Sequence, residues 1–208
     1  MFRALDRWLV SWLTSPRRPC SVPIRHVVFT VCDHFEPLHH SDLKGALKRM
    51  ANWRLKWPAL ARTTRDSGGE PPRHTFFYPI EQYRQDILAE LAGLCAESRS
   101  EVEIHLHHHD DTPQGLRATL RQGVSDLRSH GFLGADSSGL ARFGFIHGNW
   151  ALDHSDPRGH NCGVADELGI LRSEGCFGDF TMPSAPHPTQ ARMVNRLYYA
   201  PDLSLIHI

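Results

Sequence analysis

Short apolar runs of strand length alternate with stretches of helical periodicity from residue 24 to about residue 200. Such alternation predicts repeated βα units and a parallel sheet covered by its own crossover helices. Ile24 to Val31 is rich in β-branched residues and predicts a buried first strand. Leu43, Leu47, Met50 and Trp53 or Trp57 then follow at helical spacing, with a stop expected before Pro58. His74 to Tyr78, Glu101 to His107, Ala141 to Ile146 and Cys176 to Phe180 read as further strands, and Leu197 to Ala200 as the start of a sixth. The helices between them are expected at Ile80 to Glu97, from Thr112 with Pro113 in the first turn, and at Val164 to Ser173.

Strand, crossover and strand again fits either an open doubly wound sheet or a closed (β/α) barrel. No GxGxxG or GxxxxGKS loop follows any strand, so nucleotide binding is not supported. A length of 208 residues, 40% of them apolar, suffices for one sizeable core, and one domain is expected over 23–202. Residues 1–22 precede it as an amphipathic helix and linker. Apolar positions at Phe2, Leu5, Leu9, Trp12 and Leu13 are interrupted by charges, and no small-residue cleavage site follows. That helix either packs on the outside of the domain or lies in a membrane interface. No run approaches the roughly 18 apolar residues that a bilayer span needs, so no membrane span is expected. The last six residues, LSLIHI over 203–208, match one reading frame of a common transposase-adapter end. They are expected to be a non-native tail on a domain cut short at its C-terminus.

Lys+Arg and Asp+Glu both number 23, which leaves no long-range field to attract nucleic acid or an anionic membrane. Five Cys without CxxC spacing indicate neither a zinc ribbon nor a disulfide framework, and a reducing, cytoplasmic setting is expected. The 15 His are the conspicuous excess, since imidazole combines metal ligation with proton transfer near neutral pH.

Four constellations carry chemistry, each at the end of an expected strand, where α/β proteins place their sites. In EVEIHLHHHDDT, Glu101 to Thr112, alternation puts His105, His107 and His109 on one face, with Asp110 and Asp111 beyond. Imidazole and carboxylate ligands of this kind suit zinc and other borderline divalent ions. In TVCDHFEP, Thr30 to Pro37, Asp33, His34 and Glu36 offer a carboxylate ligand, a general base, or both. In RFGFIHGNWALD, Arg142 to Asp153, His147 is followed by Gly148, which permits close backbone approach. Asn149 there can hydrogen-bond a hydroxyl or amide, and Trp150 can stack on a sugar ring. In DFTMPSAPHP, Asp179 to Pro188, His187 is a candidate acid or base. Cys162 and Cys176 flank a helix and are expected to be core or loop residues.

The order of these motifs resembles the polysaccharide deacetylase family, carbohydrate esterase family 4 and its barrel relatives, over about Ile24 to Ala200. The resemblance implies a distorted, seven-stranded (β/α) barrel, here incomplete, and metal-assisted removal of acyl groups from N- or O-acylated carbohydrate. It implies an aspartate base, with one aspartate and two histidines holding a divalent metal: zinc foremost, with cobalt, manganese or nickel as alternatives. Carried over, Asp33 falls in the first motif as ligand or base. His107 and Asp111 fall on the HxxxH pair, with His105 or His109 standing in for its second histidine. The metal set so implied is Asp33, His105, His107 and Asp111. His147 and His187 would stabilise the oxyanion or protonate the leaving group, and Asn149 and Trp150 would hold the sugar. Two rivals remain: another barrel metallohydrolase, acting on phosphate esters or amidohydrolase-like substrates, and a non-catalytic carbohydrate-binding relative, the latter because the family's adjacent aspartates are Cys32 and Asp33 here.

Overall fold

The computed structural model describes residues 5–14, 23–156, 158–181 and 189. Five strands, β1 (Val31–His34), β2 (His74–Pro79), β3 (Glu101–Leu106), β4 (Phe143–His147) and β5 (Cys176–Asp179), form one parallel sheet in the order β1-β2-β3-β4-β5. Helix α1 (Leu5–Thr14) precedes the sheet, and α2 (Leu43–Thr63), α3 (Gln85–Ser98), α4 (Pro113–Ser129) and α5 (Glu167–Ser173) fill its four crossovers. A parallel sheet whose spatial order follows chain order, joined by right-handed crossovers, carries all its helices on one face. A doubly wound sheet reverses its order at a switch point, and no such reversal occurs among the described strands.

Parallel partners point to the same side, so register sorts the side chains. The pairs Asp33↔Phe76, Phe76↔Val102, Tyr78↔Ile104, Ile104↔Phe145 and Leu106↔His147 place one set toward the helices. There Phe76, Ile104, Leu106, Phe143 and Phe145 pack with Met50, Ile87, Leu91, Leu116 and Leu120, all fully buried or nearly so. Each large apolar side chain buried there contributes about 1.5–3 kcal/mol. The alternate set, His34, Phe77, Glu103, His105 and Ile146, faces away from the helices.

The helices begin where side-chain caps satisfy their first N–H groups. Asp42 accepts from Gly45 N at 2.8 Å, and Thr112 Oγ1 accepts from Gly115 N at 3.0 Å with Pro113 beside it. Helix α2 does not stop before Pro58 but runs through it to Thr63. Proline forgoes one intrahelical bond, yet Trp57, Pro58 and Ala61 are all buried, and the packing of that turn carries the helix onward. The expected second helix is divided into a short 3₁₀ turn, Ile80–Gln82, and α3.

The first strand is also shorter than its sequence suggests. Ile24, Val27, Val28 and Phe29 are exposed and outside any strand, and β1 starts only at Val31. Val31 pairs with His74, and the residues that would pair farther upstream belong to the Gly- and Pro-containing loop before β2. A strand run without a partner to bond to cannot extend the ladder. On α1, Val10, Trp12 and Leu13 are exposed. No helix among the described residues is long and apolar enough to cross a membrane. The expected sixth strand, His187 and the tail 203–208 lie outside the described residues.

Candidate metal centre

Two strands that are not neighbours, β1 and β3, bring histidines to the same end of the face away from the helices. His34 closes β1, Glu36 follows two residues later, and His105 and His107 come from the end of β3. Glu36 Oε1 is the common point, 3.1 Å from His105 Nε2, 3.6 Å from His107 Nε2 and 3.8 Å from His34 Nδ1. His34, Glu36 and His105 together offer ligand atoms within 4.8 Å of one another.

The proton inventory of the two β3 histidines follows from their other nitrogens. A carbonyl oxygen only accepts, so at 3.1 Å from Ile146 O, His105 Nδ1 is the donor. Burial holds the His105 pKa below its ordinary value, which favours the neutral ring and leaves Nε2 with a bare lone pair. That lone pair faces a carboxylate oxygen. Glu36, a carboxylate near neutral pH, supplies that oxygen. Two lone pairs opposed at 3.1 Å are repulsive unless a cation lies between them. His107 repeats the pattern: Nδ1–H donates to Glu81 Oε1 at 2.7 Å, leaving Nε2 toward Glu36. A backbone carbonyl or a carboxylate on the far nitrogen is the outer arrangement that orients metal-binding imidazoles.

His34, Glu36 and His107 line an open cleft of about 670 Å³ together with Asn149, Trp150 and Asn161. Gly148 lies flat against His107; a Cβ at this position would collide with the imidazole ring. Asn149 Nδ2 donates to His108 O at 2.8 Å, which fixes the amide at the cleft wall. Trp150 sits beside it at φ 56°, a left-handed backbone that is uncommon for a bulky residue, with 40% of its surface exposed. A strained residue presenting an aromatic face to a cleft is a feature of binding sites.

A second group of side chains lies on the opposite, helix-bearing side. His108, His147, Cys162 and Glu167 are all buried, offer ligand atoms within 4.8 Å of one another, and could hold a metal ion. His108 Nε2 is 3.0 Å from Glu167 Oε1, and Cys162 Sγ is 3.4 Å from Glu167 Oε2. Glu167 also accepts from Asp153 N at 2.6 Å, and Glu167 N donates to Asp153 Oδ1 at 3.0 Å.

The candidates singled out in the sequence are therefore divided. His105 and His107 come together on the cleft side with His34 and Glu36. Asp33, odd-numbered on β1, turns to the helix side and takes His74 Nε2 at 2.9 Å. Asp111 is not beside His107: its Oδ2 stands 3.2 Å from His108 Nδ1, and its backbone N–H donates to Cys162 O. His147 is fully buried, accepts Asn149 N–H at Nδ1, and has its pKa lowered by burial to about 4. It lies behind the cleft wall and does not line the cleft. Asn149 and Trp150 do line it. His109 is exposed beside Asp110. Glu81 and Glu167 escaped the sequence reading. Glu81 follows directly on β2 and so sits at a strand end, a signal that was available; Glu167 opens a helix and carries no such mark.

Comparisons of the chain with protein-family models, with curated proteins and with solved structures find no match.

Proposed function

We propose that the chain is a metal-dependent hydrolase of the polysaccharide-deacetylase kind, removing acyl groups from N- or O-acylated carbohydrate. Support comes above all from one observation: His105, its proton committed to Ile146 O, turns a bare nitrogen toward the ionised Glu36, with His34 alongside. This donor set of two or three imidazoles and one carboxylate fits zinc or another borderline divalent ion. His34, Glu36 and His105 would hold it. A divalent ion held there would polarise an acyl oxygen and lower the pKa of a bound water from about 15.7 toward 7.

The chain's own residues then divide the remaining work. His107 reaches the cleft edge, and its hydrogen bond to Glu81 raises its affinity for a proton, the property required of a group that takes a proton from water and returns it to a leaving group. Glu81 fixes the tautomer, so Nε2 is the atom that exchanges the proton. Asn149 and Trp150 supply a hydrogen-bonding edge and an apolar face to orient a sugar. The fold we place this site in is a (β/α) barrel. The consecutive parallel order supports that reading, and so does the location of the site at the C-terminal ends of β1 and β3.

Elemental analysis of the full chain beside His105→Ala, followed by acetate release from acetylated glycans, tests the proposal. The variant is expected to lose one ion per chain and its turnover together. Equal metal content in the two proteins would overturn the assignment.

A further inference from the structure

The buried group on the helix side takes no part in the chemistry just described, and its hydrogen-bond inventory does not close. His108 has a carboxylate oxygen at each ring nitrogen, Glu167 Oε1 at 3.0 Å from Nε2 and Asp111 Oδ2 at 3.2 Å from Nδ1. A neutral ring can donate to only one of them. Only the Nε2 contact has hydrogen-bond geometry, and Nδ1 is buried without a hydrogen-bond partner, so the ring is left with one unsatisfied nitrogen between two carboxylates. Cys162 Sγ adjoins the other oxygen of the Glu167 carboxylate. His147 completes the picture from the side: Asn149 N–H occupies Nδ1, so the ring proton is on Nε2, buried, without a hydrogen-bond partner and 3.9 Å from Glu167 Oε1.

We propose that His108, Cys162 and Glu167 bind a second divalent cation, distinct from the one at Glu36 and structural in role. One thiolate and one carboxylate balance a dipositive ion, so the buried assembly carries no net charge, which is the condition for holding ions away from water. Thiolate with imidazole selects zinc over magnesium or calcium. Asp111 backs His108 as the outer carboxylate, and His147 Nε2–H supports Glu167 from outside the ligand set.

The location gives the ion its purpose. Cys162 and Glu167 lie at the far end of the segment that begins with Asn149 and Trp150, and His108 adjoins His107 at the end of β3. An ion joining them pins the cleft wall to the strand that carries the first centre. Gly163, at φ 91°, lets this segment lie directly against the Asp111 backbone.

Cobalt(II) distinguishes the two centres, because only the second has sulfur. The full chain, loaded with cobalt under reducing conditions, should show the near-ultraviolet thiolate-to-cobalt charge-transfer band and bind two ions. Cys162→Ser should lose the band and one ion; His105→Ala should keep the band and lose the other ion. Absence of the band in cobalt-loaded wild type, or its survival in Cys162→Ser, would overturn the proposal without touching the reading of the first centre. Should Cys162→Ser fail to fold, X-ray absorption of the zinc-loaded wild type decides: a sulfur scatterer near about 2.3 Å is expected, and a shell of nitrogen and oxygen alone refutes it.

Discussion

Glu36 Oε1 and His105 Nε2, from residues 69 positions apart in the chain, stand 3.1 Å from each other with the imidazole proton committed elsewhere, to Ile146 O. This opposition costs energy in the metal-free chain and is relieved by a cation. Glu36→Gln should therefore weaken metal binding sharply while leaving the metal-free chain at least as stable, since the amide N–H₂ can donate to His105 Nε2. Thermal melts with and without added zinc check this: the zinc-dependent rise in melting temperature should be larger in wild type than in Glu36→Gln, which keeps only the share of the second centre. A zinc-dependent rise in melting temperature of equal size in both proteins would sink the idea.

His107 owes its raised pKa first to the hydrogen bond with Glu81, with the charges of Glu81 and Glu36 adding and burial opposing. A histidine whose folded pKa exceeds the unfolded value of about 6.5 contributes stability that is fully present below that value. The contribution is lost as pH rises through the folded pKa. Glu81→Gln should lower the His107 titration midpoint in the metal-free chain, read by NMR of the imidazole, and flatten the pH dependence of stability above pH 6. An unchanged midpoint would show that the 2.7 Å contact does not govern the proton.

How much of this was legible in the sequence turns on parity. The alternation in EVEIHLHHH put His105, His107 and His109 on one face; His105 and His107 come together near Glu36, His107 lining the cleft, while His109 lies beyond the strand, exposed beside Asp110. The same rule separates Asp33 from His34, but only the pairing of β1 with β2 shows which of them faces the cleft. A family motif pointed to the aspartate; the register turns it toward His74, and the cleft receives His34 and Glu36 instead. Asp111 was misplaced because the chain leaves β3 at Leu106, after which strand parity no longer applies: Asp110 has φ 49° and the turn carries Asp111 to the other side. The parallel architecture was readable because apolar runs and helical periods recur. The true start of β1 was not, because it depends on where its partner begins.

Gly148 separates β4 from the cleft wall and leaves room for the His107 ring, which a Cβ would strike. Gly148→Ala should displace His107 from Glu81 rather than unfold the sheet, since the ring is the softer neighbour. Loss of most of the turnover, with far-ultraviolet circular dichroism unchanged, is the expected result. A fully active Gly148→Ala protein would mean that His107 does not need its present position, and the proton-transfer role assigned to it would fail.

Glu103 is a half-buried carboxyl on the face away from the helices, two residues before His105, accepting Gly144 N–H at 2.5 Å. Burial, the largest cause, raises its pKa to about 7. Below pH 4 the carboxyl is protonated in both folded and unfolded chains, and its contribution is neutral. As pH rises from about 4.5 to 7 the unfolded chain ionises while the folded one does not, so stability falls; above 7 the penalty is constant. The penalty is bounded by roughly 3 kcal/mol at about 1.36 kcal/mol per pKa unit. Glu103→Gln keeps an oxygen for Gly144 N–H and removes the ionisation. Urea unfolding should find the variant about 1–3 kcal/mol more stable than wild type at pH 8 and equal to it at pH 4. A variant destabilised at both values would mean that the carboxylate is held ionised on this face by a cationic partner.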